Sequence, residues 1–208
     1  MNASRAAKKP LIARAKRKFS RAYGSWSVFF RGFLKHPVMV GSIIPSSKAT
    51  VDKMLSRCDW DNCDLFVEYG PGVGTFCGTV LDNLRPDARL IVIDTNPDFI
   101  DYLCGEIDDP RFIAVNGSAV DVQAIIAEHG FAHADYILSG LPFSTLPGDV
   151  GPRIAEATGK AIRSGGAFLV YQFRERARDF MVPHFDRIDR DFIWWNVPPC
   201  HLFWGWKA

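Results

Sequence analysis

The most distinctive local pattern in the 208-residue chain is a glycine-rich segment, Val67-Glu68-Tyr69-Gly70-Pro71-Gly72-Val73-Gly74-Thr75. It follows a short apolar run and precedes a helical period, which predicts a turn that leaves a buried strand and opens a helix. Glycine lets the backbone turn tightly and lie close to a ligand that a Cβ would block. The pattern therefore predicts a ligand site at the carboxyl end of the first strand.

Two carboxylates indicate the chemistry of that ligand. Asp94 ends the next apolar run, 20 residues after Gly74, where nucleotide-binding folds place an acid on ribose hydroxyls. Glu68 precedes glycines that are spaced G-P-G-V-G and not G-x-G-x-x-G. A carboxylate there would repel the pyrophosphate of a dinucleotide and attract a cation. A nucleoside cofactor that carries positive charge, such as S-adenosylmethionine, satisfies both acids.

These residues need a scaffold, and the sequence supplies alternating strands and helices between residues 65 and 171. Short apolar runs predict strands at 65–67, 90–93, 112–115, 136–138 and 167–171, and periodic segments predict helices at 75–84, 97–104, 120–128 and 152–163. Asn96 and Pro97 are typical of a helix start. The alternation predicts an open α/β sheet of mostly parallel strands with right-handed crossovers.

The segments on either side of this alternation are of other kinds. Two β-like segments, 191–196 and 201–206, predict an antiparallel hairpin that brings the sheet to seven strands. Upstream, a turn at 41–47 precedes a predicted helix at 48–57, which Ser46 or Ser47 would cap.

The first 36 residues predict a basic amphipathic helix. Its apolar residues recur at a spacing of three to four between Leu11 and Leu34, and His36-Pro37 ends the period. Residues 1–51 contain 11 Lys and Arg and no acid, so all 23 acids lie in the rest of the chain. We expect residues 1–35 to bind an anionic membrane surface. A mitochondrial-type targeting segment and a helix packed on its own domain are the alternatives.

Composition excludes several classes of protein. With 48% hydrophobic and 23% charged residues, the chain is expected to be globular. No run reaches the roughly 18 apolar residues of a membrane span, and no cleavable apolar block follows the basic start. Five cysteines without paired C-x-x-C spacing predict neither disulfides nor a zinc site, and the histidines lack metal-ligand spacing. We expect a cytoplasmic protein, peripheral on the inner face of the cell membrane.

Three further segments complete a resemblance to a known family. Together with the glycine turn and Asp94, Ser139-Gly140-Leu141-Pro142-Phe143 resembles the class I S-adenosylmethionine-dependent methyltransferases. Within that superfamily, residues 41–47 (GSIIPSS) and 196–200 (NVPPC) are similar to segments of the bacterial phospholipid N-methyltransferases, which convert phosphatidylethanolamine to phosphatidylcholine.

The resemblance covers about residues 35–206 and implies a particular architecture. A Rossmann-like methyltransferase domain at 37–208 would carry a mostly parallel seven-stranded sheet with helices on both faces and a C-terminal antiparallel hairpin. The amphipathic helical segment at 1–36 would precede it, either as a membrane anchor alone or also as a lid.

The resemblance also implies a cofactor site at the ends of the strands. Glu68 and the glycine turn would line the methionine part of S-adenosylmethionine, Asp94 would hold the ribose, and residues 117–119 would border the adenine. Many family members have an acid where Ser118 stands, and here its hydroxyl would bond an adenine amine. The implied cofactor set is Glu68, Gly70, Pro71, Gly72, Gly74, Thr75, Asp94, Thr95, Gly117, Ser118, Ala119 and Ser139.

The methyl acceptor is expected at residues 139–143, where family members use oxygens to accept hydrogen bonds from the amine and aim its lone pair at the methyl group. Positioning and desolvation would supply most of the rate of such an in-line displacement. The ring of Phe143 could hold the cationic amine. A lipid amine is protonated near neutral pH, and Tyr23, His36 and Asp149 are candidate proton acceptors. The implied catalytic set is Ser139, Gly140, Leu141, Pro142, Phe143 and Tyr23.

Two other functions stay open. An rRNA adenine N6-dimethylase-like enzyme shares the glycine turn and the polar-x-P-aromatic turn, but such enzymes continue into a helical RNA-binding domain, and an acidic body disfavours nucleic acid. A non-catalytic membrane-binding module would keep the fold without the activity. The sequence favours transfer of methyl groups to phosphatidylethanolamine. The methylated forms of phosphatidylethanolamine and ornithine lipid offer a similar nitrogen and stay open as acceptors. The sequence does not specify the oligomeric state.

Overall fold

The computed structural model describes residues 47–143, 145–196 and 199–208, and these residues are organised around one seven-stranded sheet. The strands are β1 (Leu65–Tyr69), β2 (Arg89–Asp94), β3 (Phe112–Asn116), β4 (Ala134–Ser139), β5 (Ile162–Gln172), β6 (Arg187–Ile193) and β7 (Cys200–Trp206). The predicted basic helix at 1–36 lies outside the described residues, as do Tyr23, His36 and most of the turn at 41–47.

The strand order is β3-β2-β1-β4-β5-β7-β6. The first five strands pair in parallel, whereas β7 is antiparallel to both β5 and β6. This topology confirms the predicted sheet and its C-terminal hairpin. Because β6 returns to the direction of the parallel strands, its carboxyl end lies at the same edge of the sheet as theirs. We call this side of the sheet the carboxyl edge.

Six α-helices lie in the described part of the chain: α1 (Lys48–Leu55), α2 (Cys77–Asn83), α3 (Pro97–Glu106), α4 (Val122–Glu128), α5 (Val150–Ala161) and α6 (Ala177–Met181). Successive residues of a strand point to opposite faces of the sheet. Phe66 of β1 accordingly packs in a core with α1, α2 and α3, whereas Leu65 and Val67 pack in a second core with α4, α5 and α6. Helices therefore cover both faces, as predicted.

Two helix starts follow from side-chain caps that the sequence predicts. The Ser47 hydroxyl accepts a hydrogen bond from the Thr50 N–H at 3.2 Å and begins α1. The Asn96 side chain accepts from the Asp98 N–H at 3.0 Å, and Pro97 occupies the first helical position of α3. Each cap satisfies a backbone donor that the first turn of a helix leaves unpaired.

The first strand of the predicted C-terminal hairpin has different bounds from the observed strand. The sequence places this strand at 191–196, but β6 runs over Arg187–Ile193 and residues 194–196 turn away from the sheet. The charged residues of β6 obscure this strand in the sequence, because two of its acids form ion pairs with α1 and the turn after it: Asp191 with Lys53 at 2.8 Å and Asp189 with Arg57 at 2.7 Å. A strand at the edge of a sheet tolerates such charges.

The predicted helix boundaries also shift by one or two residues. Helix α2 begins at Cys77 and not near Thr75, because residues 72–76 remain in turns. Helix α5 begins at Val150 and ends at Ala161, where Ile162 is already extended and opens β5. Within the described ranges, no helix combines the length and apolar character that crossing a membrane requires.

Candidate active site

The glycine turn lies at the carboxyl edge, directly after β1. Gly70, Gly72 and Gly74 have φ angles of +61°, +54° and +76°, a region that other residues adopt only with strain. A Cβ on Gly72 would meet no atom within 4 Å, so this position borders open space. The turn thus exposes backbone to a volume that a ligand could occupy.

The other two glycines allow close packing instead. A Cβ on Gly70 would lie 2.9 Å from Leu141 Cδ2, and one on Gly74 would lie 2.7 Å from Leu103 Cδ2. The Gly74 N–H closes the turn by donating to the Pro71 carbonyl at 2.9 Å. Gly70 therefore brings the glycine turn into contact with the segment after β4, the predicted acceptor site.

Glu68 lies beneath the turn as a buried acid, with 1% of its surface exposed. Its burial raises the pKa of the carboxyl to about 7, and the nearby Asp94 charge acts in the same direction. The Cys77 thiol opposes the rise by donating to Glu68 Oε2 at 3.3 Å. A buried carboxylate gains most from a cationic partner, so the site favours a positively charged ligand group.

Asp94 ends β2 at the same edge. Its Oδ1 accepts from the Asn96 N–H at 2.9 Å, which holds the carboxylate at the strand end. Burial raises its pKa, and hydrogen bonds from the backbone of Asn96 and Thr95 oppose the rise. The carboxylate is thus oriented without being fully enclosed.

The predicted adenine border follows β3. The Gly117 N–H donates to the Asp94 carbonyl at 3.0 Å, which ties this border to the end of β2. The Ser118 hydroxyl accepts from the Val120 N–H at 3.3 Å and begins a short 3-10 helix, in which Ala119 is buried. Ser118 therefore has a capping role, and its contact with adenine stays a prediction.

The predicted acceptor segment forms a tight turn after β4. Ser139 is fully buried, and its hydroxyl accepts from the Leu141 N–H at 3.2 Å. The Gly140 N–H donates to the Tyr69 carbonyl at 3.0 Å, and the Phe143 N–H donates to the Leu141 carbonyl at 2.9 Å. The structure thus brings this segment beside the glycine turn, as the sequence predicts.

Phe143 occupies a different environment from the expected one. Its ring is 3% exposed and packs in the second core, with centroids 6.3 Å from Phe168 and 6.0 Å from Phe180. We expected this ring to face the methyl acceptor, but the structure buries it, because the turn after Leu141 directs it towards the sheet. The Phe143 ring therefore anchors the acceptor segment to the second core.

Three residues at the site had no predicted role there. Tyr171, near the end of β5, directs its hydroxyl at Gly140, where a Cβ would lie only 2.6 Å from the hydroxyl oxygen. Gln172 Nε2 donates to the Leu141 carbonyl, and the Cys77 thiol donates to Glu68. For Tyr171 and Gln172 the sequence did offer a signal, because polar residues that end a parallel strand belong at the carboxyl edge.

Of the three candidate proton acceptors, Tyr23 and His36 lie outside the described residues, and Asp149 lies within them. The Asp149 side chain is 79% exposed at the start of α5, 3.9 Å from Arg153. Among the residues that the structure describes, no three His, Cys, Asp or Glu side chains are grouped so as to hold a metal ion.

Two of the segments that carried the sequence resemblance meet in the structure. Asn196 is 4% exposed, and its Oδ1 accepts from the Ser47 N–H at 3.2 Å and from the Thr50 hydroxyl at 3.0 Å. Cys200 is buried beside them, and its pKa is raised to about 11 by burial, opposed by a hydrogen bond with Thr50. The turn between β6 and β7 is therefore fastened to the start of α1.

Comparison with known proteins gives one curated relative. No protein-family model matches the chain. The ornithine lipid N-methyltransferase of Singulisphaera acidiphila is 26% identical over 182 residues, which cover 85% of this chain and 93% of that protein.

Solved structures share the fold at low sequence identity. The precorrin-6y C5,15-methyltransferase of Geobacter metallireducens superposes with a TM-score of 0.60 at 15% identity, covering 78% of this chain and 89% of its own. The N-methyltransferase NodS of Bradyrhizobium japonicum gives 0.59 at 14% identity, covering 76% and 94%. The chain therefore has the fold of the class I S-adenosylmethionine-dependent methyltransferases, and its distant curated relative acts on a lipid amine.

Proposed function

We propose that the protein transfers methyl groups from S-adenosylmethionine to the amine of a membrane lipid headgroup. The observation that carries the cofactor assignment is the buried Glu68 carboxyl behind the open backbone at Gly72. The lipid acceptor is supported by the relative named an ornithine lipid N-methyltransferase, which matches over 93% of its length.

The residues present fit this cofactor. Glu68 would meet the cationic methionine part, since a buried acid is stabilised by a positive partner. Gly72 leaves the space that a Cβ would fill, and Asp94 would accept hydrogen bonds from ribose hydroxyls. When bound, the cofactor supplies an electrophilic methyl group. A structural neighbour, NodS, has been solved with S-adenosyl-L-homocysteine, with a TM-score of 0.57 to this chain.

The residues of the chain would contribute to the reaction by positioning the acceptor amine for attack on the methyl group. We place the acceptor nitrogen near the Tyr171 hydroxyl, which packs against Gly140 in the space that a Cβ would fill. A hydroxyl oxygen that accepts a hydrogen bond from the amine leaves the nitrogen lone pair free to attack. Leu141 and the Phe76 ring, 5.0 Å from Tyr171, provide apolar surroundings that disfavour a charged amine.

The lipid is either ornithine lipid, on which the relative acts by name, or phosphatidylethanolamine, on which the resembled family acts. Both offer a primary amine at the membrane surface. We propose ornithine lipid as the first acceptor to test, because a match over nearly the whole relative is a broader similarity than three short segments.

We also propose that residues 1–35 hold the enzyme on an anionic membrane, at the inner face of the cell membrane. This segment holds ten Lys and Arg and no acid, interleaved with aromatic and aliphatic residues. Each basic residue near such a surface contributes about 1 kcal/mol to binding. Attraction of this kind weakens as salt is raised, which distinguishes it from apolar insertion.

One experiment decides between these acceptors and the RNA alternative. The full chain is incubated with methyl-labelled S-adenosylmethionine, vesicles that contain ornithine lipid or phosphatidylethanolamine, and unmethylated rRNA. We expect the label in one lipid fraction and its loss in the Asp94→Ala variant. Label in rRNA alone, or no label with any substrate, would contradict the proposal.

A further inference from the structure

We propose that the turn between β6 and β7 is a second membrane contact, through which Trp194 and Trp195 enter the lipid interface beside the active site. The inference rests on the proposed function, because it concerns how a lipid-methylating enzyme reaches its substrate. It involves residues that lie far in sequence from the basic segment 1–35.

Trp194 and Trp195 expose most of their large apolar rings to water, which is energetically unfavourable. Trp194 is 72% exposed and Trp195 75%, and among the described residues Val182 is the other large apolar side chain in that class, at 52%. An indole ring has a large apolar surface and one N–H donor, and it is enriched where one end can be apolar and the other wet. The interface of a membrane provides such surroundings.

The turn that carries the tryptophans is anchored on both sides. Ile193, just before them, is 4% exposed in the first core, and Asn196, just after them, is 4% exposed and bound to the start of α1. Trp194 also rests edge-on against Phe192, with ring centroids 4.5 Å apart. The pair is thus held outward by fixed neighbours, which reduces the entropy lost on insertion.

The topology places this turn at the carboxyl edge. β6 runs in the direction of β4, and the order β4-β5-β7-β6 separates the ends of the two strands by three strand spacings. At about 4.8 Å a spacing, the turn lies roughly 14 Å from the predicted acceptor segment along this edge. Insertion at the turn would therefore bring the acceptor segment towards the headgroups.

The surface near the turn carries a small net positive charge, which suits a lipid surface with anionic headgroups. Three exposed arginines, at positions 174, 176 and 178, follow β5 on the same edge, and with the exposed acids Glu175 and Asp179 between and after them this segment has a net charge of +1. In the sequence, Ser47, whose N–H binds Asn196 of the turn, is preceded by residues 1–46, which contain ten Lys and Arg and no acid. Basic residues beside interfacial aromatics are the combination that binds anionic membranes.

The test compares the full chain with Trp194→Ser/Trp195→Ser and, as matched control, Val182→Ser. All three proteins are sedimented with vesicles of phosphatidylglycerol and phosphatidylcholine in equal parts. We expect the double variant to bind at least about tenfold more weakly, because two large apolar side chains no longer leave water. The control should bind within about twofold of the parent, and all three should unfold at the same temperature.

Two further readouts separate this proposal from the function on which it rests. Trp194→Phe/Trp195→Phe should recover most of the vesicle binding, and cofactor affinity should be unchanged in every variant. Equal vesicle binding by parent and double serine variant would overturn the membrane contact, as would a parent dimer that the double variant dissolves into monomers. Absence of methyl transfer by the parent would overturn the proposed function but leave the vesicle result standing.

Discussion

Cofactor affinity should depend on pH through one buried group, Glu68. Burial raises its pKa to about 7, so the carboxyl takes up a proton within the range in which the protein can be assayed. A cationic ligand binds the ionised form, and binding should therefore weaken as pH falls through 7. The sign follows from charge alone, because a neutral carboxyl loses most of its attraction for a cation.

The magnitude can be worked from that pKa. With a pKa of about 7, roughly one carboxyl in eleven is ionised at pH 6 and roughly three in four at pH 7.5. Affinity for S-adenosylhomocysteine should thus fall about eightfold between pH 7.5 and pH 6. Protonation of the ligand's own amine acts in the opposite sense, so the parent must be compared with Glu68→Gln.

Stability of the free protein should change in the opposite direction. The pKa of Glu68 is higher in the folded chain than its ordinary value of 4.5, so the folded state binds the proton more tightly. Unfolding free energy should therefore fall as pH rises from about 4.5 to 7, by at most about 3 kcal/mol. Glu68→Gln removes the buried charge and should make the free protein more stable at pH 7.5.

Titration calorimetry and thermal unfolding at pH 6 and pH 7.5 measure both effects. Cys77→Ala removes the thiol that donates to Glu68 and should therefore raise the pH at which half of the affinity change has occurred. Cys77→Ser retains a donor and should leave that pH unchanged. An affinity that is flat with pH in the parent, or unchanged in Glu68→Gln, would refute the assignment of Glu68 as the cation partner.

Three other predictions test separate parts of the site. Gly72→Ala should lose cofactor affinity at least about tenfold, whereas Gly130→Ala, which has a similar positive φ and equally open surroundings, should only lower stability. Tyr171→Phe should lower the rate of lipid methylation about tenfold while cofactor affinity stays within about threefold of the parent. An equal loss of methylation rate and of cofactor affinity would contradict the placement of Tyr171 at the acceptor. Asn196→Ala should cost about 1–3 kcal/mol of unfolding free energy, because it removes the acceptor of two hydrogen bonds at the start of α1, whereas the exposed Asn83→Ala should cost little.

The sequence predicts most of the sheet because local signals agree there. Strand-final acids, the glycine turn and the Asn96-Pro97 helix start each indicate the same alternation, and the observed order confirms it. The position of β6 was predicted wrongly because its acids pair with α1 and the turn after it, a contact between distant segments that period-two patterns do not reveal. Tertiary pairing of this kind overrides local propensity.

Side-chain direction at the site was harder to predict than position. The segment 139–143 was correctly placed after β4, but the burial of Phe143 depends on the rings of Phe168 and Phe180, which come from later elements. The approach of Tyr171 to Gly140 likewise requires β5 to lie beside β4. Asn196 was singled out only through resemblance, and its hydrogen bonds to the start of α1 supply the physical reason.

The most direct test of the central claim is a mass measurement on the lipid itself. Purified full-length protein, S-adenosylmethionine and vesicles of a single amine lipid are mixed, and the headgroup is analysed for added methyl groups. We predict a mass increase of one or more methyl groups on ornithine lipid or phosphatidylethanolamine, lost in Glu68→Gln and Asp94→Ala. An unmodified headgroup under conditions where calorimetry shows the cofactor bound would contradict lipid N-methylation.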